Sequence, residues 1–493
     1  MVKQSRLTEY ILAICGGLVL LLSGCRVGVN LPHADTVMPD RYVESWNGSA
    51  DTLTMADYSW WEIYGDTALQ AVIDATLRNN RDLAVARARI KELAAMKRVA
   101  SAALLPSVSG QAYGQRETLN YGGDSHKGDP EFGLKATVSW EADLWGNLRY
   151  ASDKSASELR AAIWSERALQ MSLVAEAAKS YFELVALHTE LAIVKSTLAA
   201  RRESERIAKL RYEGGLTAET SYLQAKTETA RTATYLPRLE QRIAAMENNI
   251  STIMGEYPSG IVHADRTADF SLPERLPVGM PSTLLRQRPD IRAEEERLKS
   301  AYAQVGVAYT DRFPRLTLTA TGGLENEELG HFLKSPMSFL SAGLLGPIFD
   351  WGKRQGAYRA AQAAYEGAVS RYEGVVINAF SEVRTAISNY TKVQESYDSW
   401  AALERDAKAT MELAQVQYIN GAVGYLNVLD AQRSYFDARV GLSNAMRDKQ
   451  TALADLYLAL GGGWSDNGTT IRDSVLANSE RELYLCRQKE SWV

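Results

Sequence analysis

Apolar positions along this chain follow two different periods. Leu236, Leu239, Ile243, Met246, Ile250 and Ile253 fall three and four residues apart, and Leu442, Met446, Leu453, Leu456 and Leu460 form a similar seam in the C-terminal half. That spacing puts each set on one stripe of a helix, as in a coiled coil. Segments 146–210 and 352–416 contain no proline and are rich in Ala, Glu, Arg and Leu. As one helix, each ~65-residue segment would span about 97 Å. Between the helices the period changes to two. In 132–143, Phe132, Leu134, Ala136, Val138, Trp140 and Ala142 alternate with Gly133, Lys135, Thr137, Ser139, Glu141 and Asp143. Leu316, Leu318, Ala320 and Leu324 alternate with Thr317, Thr319, Thr321 and Glu325 in the same way. Both read as strands with one apolar and one polar face. Weaker partners lie at 107–116 and 338–348, and polar loops at 117–131 and 326–337 complete two hairpins.

The halves of the chain repeat each other. Trp145-Gly146 returns as Trp351-Gly352, Tyr212 and Gly215 as Tyr418 and Gly421, and Gly255 as Gly461, always 206 residues on. Upstream, Asp82, Arg89, Lys91 and Pro106 match Asp290, Arg297, Lys299 and Pro314 at an offset of 208. Two copies of so long a unit are no solenoid array, whose repeats run to roughly 20–50 residues. The absence of gaps from Trp145 to Gly255 has a physical meaning. One inserted residue turns everything after it by about 100° around a helix axis, so these helices have to stay in register.

About ten-residue strands with one apolar face suit the wall of a transmembrane barrel. A soluble sheet packed on helices uses the same alternation, and the strands taken alone favour that reading. Four strands cannot close a barrel, and open edges are not tolerated in lipid. A barrel therefore requires several copies of the chain, and three would supply twelve strands.

The N-terminus reads as a processing signal. Lys3 and Arg6 precede an apolar run, Ile11 to Leu22, that is short for a membrane span. Leu22-Ser23-Gly24-Cys25 resembles a bacterial lipobox. That resemblance implies cleavage before Cys25 and a lipid on its sulfur; Arg26, in place of an aspartate, favours the outer membrane. Losing Lys3, Arg6 and Glu9 takes the formal charge from −5 to −6. Such mild acidity without a basic stripe argues against nucleic acid as a partner. With Cys15 removed and Cys25 modified, Cys486 has no intrachain disulfide partner. The five histidines show no metal-ligand spacing, and no nucleophile–base set is evident. No metal, catalytic residue or cofactor other than the lipid is expected.

Six sequence words carry a family resemblance. They are Trp60-Trp61-Glu62-Ile63-Tyr64-Gly65-Asp66, Asn80-Arg81-Asp82-Leu83, Trp140-Glu141-x-Asp143-Leu144-Trp145-Gly146, Arg288-Pro289-Asp290-Ile291, Gly346-Pro347-Ile348-Phe349-Asp350-Trp351-Gly352 and Leu460-Gly461-Gly462-Gly463-Trp464. In that order and spacing the chain resembles the TolC-like outer membrane factors, in the lipoprotein branch that includes OprM. The resemblance implies a mainly α homotrimer with membrane β: a 12-stranded transmembrane barrel, four strands per chain, continued by a long periplasmic α-helical barrel. It also implies a passive exit duct in the cell outer membrane. Its partners would be a periplasmic adaptor protein, an inner-membrane pump and outer-membrane lipid. The expected division is a signal peptide (1–24), a lipid-anchored extended segment (25–66), a first repeat (67–260, with hairpin 107–143 and helices 146–210 and 217–254) and a linker (261–280). A second repeat (281–464, with hairpin 315–349 and helices 352–416 and 424–460) and a tail (465–493) complete it.

Function should concentrate at two turns. Arg211-Tyr212-Glu213-Gly214-Gly215-Leu216-Thr217 and Gln417-Tyr418-Ile419-Asn420-Gly421-Ala422-Val423 reverse the helix pairs, and their glycines suit a chain leaving a helix through φ > 0. By the resemblance, Arg211, Gly214, Gly215, Leu216, Asn420 and Gly421 form adaptor-docking tips. Asp430 matches a pore-facing aspartate that threefold symmetry makes a ring of three carboxylates, which attracts cations. A solvated helix aspartate is the plainer reading. Tyr418 matches the tyrosine of a gate latch whose acidic and basic partners correspond here to Ser221 and Val423. A Tyr418–Ser221 hydrogen bond or apolar closure by Val423 and Leu426 would replace a charged latch, and Tyr418 equally suits inter-helix packing. The rivals are a non-conducting coiled-coil lipoprotein, which has no use for paired hairpins, and a periplasmic enzyme, which lacks a catalytic set.

Overall fold

Local sequence dictates where each helix starts and stops, and a computed structural model shows the result for residues 27, 28, 31, 66–120, 126–261 and 281–462. In chain order the elements are α1 (Thr67–Asn79), α2 (Arg81–Ala102), β1 (Ser107–Asn120), β2 (His126–Ala142), α3 (Asn147–Glu213), α4 (Glu219–Ala233) and α5 (Tyr235–Ile253). The second half gives α6 (Pro281–Gln287), α7 (Pro289–Thr310), β3 (Arg315–Asn326), a single 3₁₀ turn (Phe332–Lys334), β4 (Pro336–Leu345), α8 (Lys353–Ile419) and α9 (Tyr425–Ala459). The expected signal peptide, Cys25 and the segment expected to follow it as far as Gly65 lie outside the described residues, apart from Val27, Gly28 and Leu31. So do most of the 261–280 linker, Gly463-Trp464 and the tail.

Proline-free sequence lets α3 and α8 run for 67 residues each. Both begin on an aspartate. Asp143 accepts from the Leu148 and Arg149 amides at 3.0 Å, and Asp350 from the Gly352 and Arg354 amides at 3.1 and 3.3 Å. These bonds satisfy donors that a helix start leaves orphaned. Four helices end alike, on Gly215, Gly255, Gly421 and Gly461 at φ between 70° and 79°. At the first, Leu216 N–H returns to the Arg211 carbonyl and Gly215 N–H to that of Tyr212, at 2.8 and 2.9 Å. Ala422 and Gly421, Glu256 and Gly255, and Gly462 and Gly461 repeat this pair of bonds. Each is a Schellman ending. The repeat seen in sequence is thus a repeat of helix terminations, and α3 and α8 run three residues beyond 210 and 416 to reach them.

Two sequence expectations are corrected. The return helix drawn as one over 217–254 is two, joined at Thr234, whose N–H turns back to Arg231 at 3.2 Å. Pro237 is the cause, because it has no N–H for the Ala233 carbonyl and its ring crowds that oxygen. Its counterpart α9 has no proline and is continuous. The polar loop drawn over 117–131 is largely strand, since β1 and β2 pair out to Asn120↔His126.

The residues form two compact units. One combines Ala86–Ser165 with Asp290–Val375 and holds the sheet, which is antiparallel in the order β1-β2-β3-β4. A small core of Val305, Ala308, Ala361 and Tyr365 sits in its helices. The other combines Glu166–Pro289 with residues from Val376 on and holds the main core. There Leu239, Ile243, Ile250 and Ile253 of the predicted seam pack with Leu453, Leu456 and Leu460, and with Tyr181, Phe182 and Leu184 of α3. Side chains lock each repeat's last helix to its first. Asn80 donates to the Ile253 carbonyl at 2.8 Å, and Arg288, at the matching position, to the Ala459 carbonyl at 3.1 Å. Gly255 lies so close to the Asn79 carbonyl that an added Cβ would meet it at 2.4 Å.

Gly255→Ala therefore combines a left-handed φ with a backbone clash, and should lower stability by more than about 1 kcal/mol. Gly367→Ala, in α8 with open space around it, should instead be neutral or stabilising by roughly 0.5–1 kcal/mol. Thermal unfolding of the detergent-solubilised chain separates the two.

Candidate functional site

Cross-strand neighbours sort the sheet into two faces. Val108, Val138, Ala320 and Leu340 lie in one row across the four strands, and Ala112, Leu134 and Leu324 in another. On this face Val108, Leu134, Val138, Leu340 and Leu344 are exposed. The opposite face is polar and bonded to itself. Lys135 meets Glu325 at 3.1 Å, Tyr113 donates to Glu131 at 2.7 Å, and the Thr137 and Thr321 hydroxyls lie 3.0 Å apart. The Tyr113 ring lies over Gly133, filling the space of the missing side chain. A soluble sheet buries its apolar face and wets its polar one. This sheet does the reverse, as the wall of a transmembrane barrel does.

The two turns of the other unit lie together. Tyr418 is buried in a cluster with Ala208, Ala225, Tyr425, Val428 and Leu429, its ring 5.7 Å from that of Tyr425. The Arg211 guanidinium stacks 4.9 Å from the Tyr418 ring centroid and reaches the Ile419 carbonyl at 3.4 Å. A cation is thus set at the C-terminal end of α8, where the helix dipole favours it. Arg211 also joins the first turn to the second. Tyr212 and Tyr222 stack nearly parallel, 6.3 Å apart, closing the first turn. Leu216 stands 72% exposed, and Gly214, Gly215, Asn420 and Gly421 are exposed with it. The Tyr418 hydroxyl is buried and, among the described residues, makes no hydrogen bond to Ser221 or to any other partner. Val423 packs against the cluster, Leu426 is exposed, and the Asp430 side chain is 64% exposed. Burial pushes the Tyr425 phenol up to about 12, with Tyr418 adding to it.

Sequence reasoning missed the charged centre beside these turns. Glu228 of α4, 2% exposed, is met by Arg201 of α3 at 3.1 Å, Arg231 at 3.0 Å and Arg433 of α9 at 2.7 Å. Arg201 also donates to Thr232 and stacks on Phe436. Burial alone would raise the Glu228 pKa, but the Arg433 hydrogen bond and the arginine charges outweigh it and hold the carboxyl below its usual range. Asp430 lies 3.8 Å from Arg433 on that arginine's outer side. One sequence signal existed: Glu228 falls on the same helix stripe as Ala225 and Thr232, both buried.

An outer-membrane channel subunit, made of twin hairpins and twin helical coils, is the class of protein these features define. Comparison with known proteins names the family. The pattern of the outer membrane efflux protein family matches residues 72–256 and 280–462, well over half of the chain, which therefore belongs to it. The chain is 29% identical to the solvent efflux pump outer membrane protein SrpC of Pseudomonas putida, over 91% of its own length and 97% of that protein's. It is 28% identical to the cation efflux system protein CusC of Escherichia coli O6:H1, over 90% and 97%. Its structure resembles the outer-membrane channel OprN with a TM-score of 0.81 and 27% identity, covering 89% of this chain and all of that one. The Campylobacter jejuni CmeC outer membrane channel gives the same TM-score at 25% identity, over 90% and 96%. The chain is accordingly an outer-membrane efflux protein with a periplasmic extension.

Glu228→Ala leaves the Arg201 guanidinium buried without its counter-ion and should cost about 3–5 kcal/mol. Because the folded carboxyl is depressed, Glu228 stabilises at pH above its unfolded value of about 4.3. That stability is lost as pH falls through the lower folded value. Urea unfolding from pH 7 to pH 3 should therefore show an acid-side loss in the parent protein that is reduced in Glu228→Gln.

Proposed function

We propose that three copies of this chain close one twelve-stranded barrel. The trimer is the exit duct of a tripartite efflux or export system, taking cargo from a periplasmic adaptor and an inner-membrane pump. It does so passively and performs no chemistry of its own. The observation that carries this reading is the inverted sheet, exposed on its apolar face, self-bonded on its polar face and open at both edges. Peptide groups at those edges have to be paired in a hydrocarbon layer, and neighbouring copies supply the partners. A lipid on Cys25 adds an anchor to a barrel that already inserts.

The turns divide the remaining work. Arg211, Gly214, Gly215 and Leu216 of the first turn, with Asn420 and Gly421 of the second, form the adaptor-docking tips. The exposed Leu216 beside a stacked arginine supports this, because an exposed apolar side chain next to a fixed one is how a docking surface begins. Asp430 supplies the gate's ring of three carboxylates, with Tyr418, Ser221, Val423 and Leu426 around it. Its exposed side chain supports that role. SrpC and CusC are named for different cargoes, solvent and cations, so cargo choice in this design rests with adaptor and pump.

Reconstituted in a planar bilayer, the purified trimer should carry discrete cation-preferring currents. Asp430→Asn should shift the reversal potential in a KCl gradient toward zero, as a ring of like charge is removed. A folded trimer that never conducts, even with Asp430 and Tyr418 both replaced by alanine, would overturn the duct reading.

A further inference from the structure

Inside the chain the internal repeat already builds a contact that a second copy can reproduce. Strand registers fix the equivalences. Ser107 pairs with Ser139 and Arg315 with Leu345, so β1 maps onto β3 at an offset of 208 and β2 onto β4 at 206. The same offsets carry Pro106 onto Pro314 and Trp145 onto Trp351. Where β2 meets β3, Val138 faces Ala320 and Ser139 faces Thr319. Just past β2, Trp145 donates from Nε1 to the Pro314 carbonyl at 2.8 Å and stacks on Phe313, ring centroids 4.9 Å apart. Asn147 then donates to the Val307 carbonyl at 3.1 Å, and Tyr150 fills the space at Gly306. The last turns of α7, which also pack against Ala361 and Tyr365 of α8, have Ala303, Val305, Ala308 and Thr310 buried.

The equivalents of these partners are bare. Trp351 is 89% exposed and holds φ at 56°, the one positive value outside glycine among the described residues. A bulky side chain persists there only when its surroundings over-determine it. Within the chain its ring meets that of Phe349. Leu344 and Leu345 on β4 are exposed, as are Leu105 and Val108 at the start of β1. On α2, the counterpart of α7, Met96 and Val99 are exposed as well. So the donor side of the contact is open at one end of the sheet and the acceptor side at the other.

We infer that these two surfaces meet between copies, in the register that β2 and β3 use within one. The inference rests on the trimer reading above and adds its geometry. Leu344 of one copy lies opposite the next copy's Ala112, and Leu345 opposite its Gln111. Trp351 donates to the next copy's Pro106 carbonyl and packs on its Leu105. Even-numbered positions then keep Leu344 on the apolar face with Leu134 and Val138, so the faces stay continuous across the seam. Pro347, at the Glu141 position, brings no N–H, and the strand pairing ends by Gly346. A second copy is the occupant because both halves of the contact are already joined once inside each chain.

Cysteine pairs in the full-length lipidated chain carrying Cys486→Ser test this. Leu344→Cys with Ala112→Cys should cross-link under a membrane-permeant oxidant into species of two and three chains on a non-reducing gel. The yield should be at least tenfold above that of Leu344→Cys with Gly110→Cys, two residues out of register. Leu345→Cys with Gln111→Cys repeats the test on the opposite face, should the first pair fail to assemble. Sedimentation of the parent chain gives its mass independently. A three-chain mass with linkage favouring the shifted pair, or with no linkage in either in-register pair, overturns the inference and leaves the trimer intact. A one-chain mass overturns the trimer reading itself.

Discussion

Hydrocarbon offers no hydrogen bonds, so a strand placed in it has to find every partner in protein. This chain meets that demand with only four strands, of which β1 and β4 each lack a partner on the outer side among the described residues. The sheet's inverted faces follow from the same demand. Apolar side chains look outward to lipid, and Lys135, Glu325, Tyr113 and Glu131 satisfy one another on the inner side. The sheet's outer edges are left for other copies. A chain that has to repeat itself around an axis gains from repeating within itself as well, because similar units tile a ring with similar contacts. The matched glycine endings, and the matched clamps of Asn80 on Ile253 and Arg288 on Ala459, are that tiling at the level of single bonds.

Where the copies differ, the difference has a local cause. The first return is split at Thr234 by Pro237, while the second is one helix. Glu228 gathers arginines from α3, α4 and α9, whereas the 206-residue counterpart of Arg201 is Ala407 and that of Glu228 is Ser434. The charged centre therefore ties α3 and α4 of the first copy to the second copy's last helix, and the matching positions of the second copy cannot repeat it. It also places a buried carboxylate behind Arg433, whose other side faces Asp430.

Much of this was legible before any coordinates. The period-two run at 132–143 showed a strand because lipid and interior impose opposite chemistry on alternate residues. Beyond it that signal fades. Apart from Leu119 and Pro130, Gln115 to Asn120 and His126 to Glu131 are polar or small on both sides, so alternation had little to report where β1 and β2 continue. Helix ends were legible to within one residue before Gly255 and Gly461, and three residues short before Gly215 and Gly421, because a Schellman ending carries the helix up to its glycine. The Glu228 centre was not legible: its bonds join residues 27 and 205 apart, and neither spacing nor composition marks such a meeting. The Tyr418 environment was half legible. Its position at a turn was plain, but its stacking partner Arg211 comes from the other turn.

The two clamps also impose an order on folding. Asn80 reaches a carbonyl 173 residues further on, and Arg288 one 171 further on. A chain delivered from its N-terminus can therefore close its first repeat once Ile253 arrives, before any of the second has appeared. The second repeat then grows beside a finished copy of its own plan. Long-range closure is slow, and here it is taken in two instalments of nearly equal length.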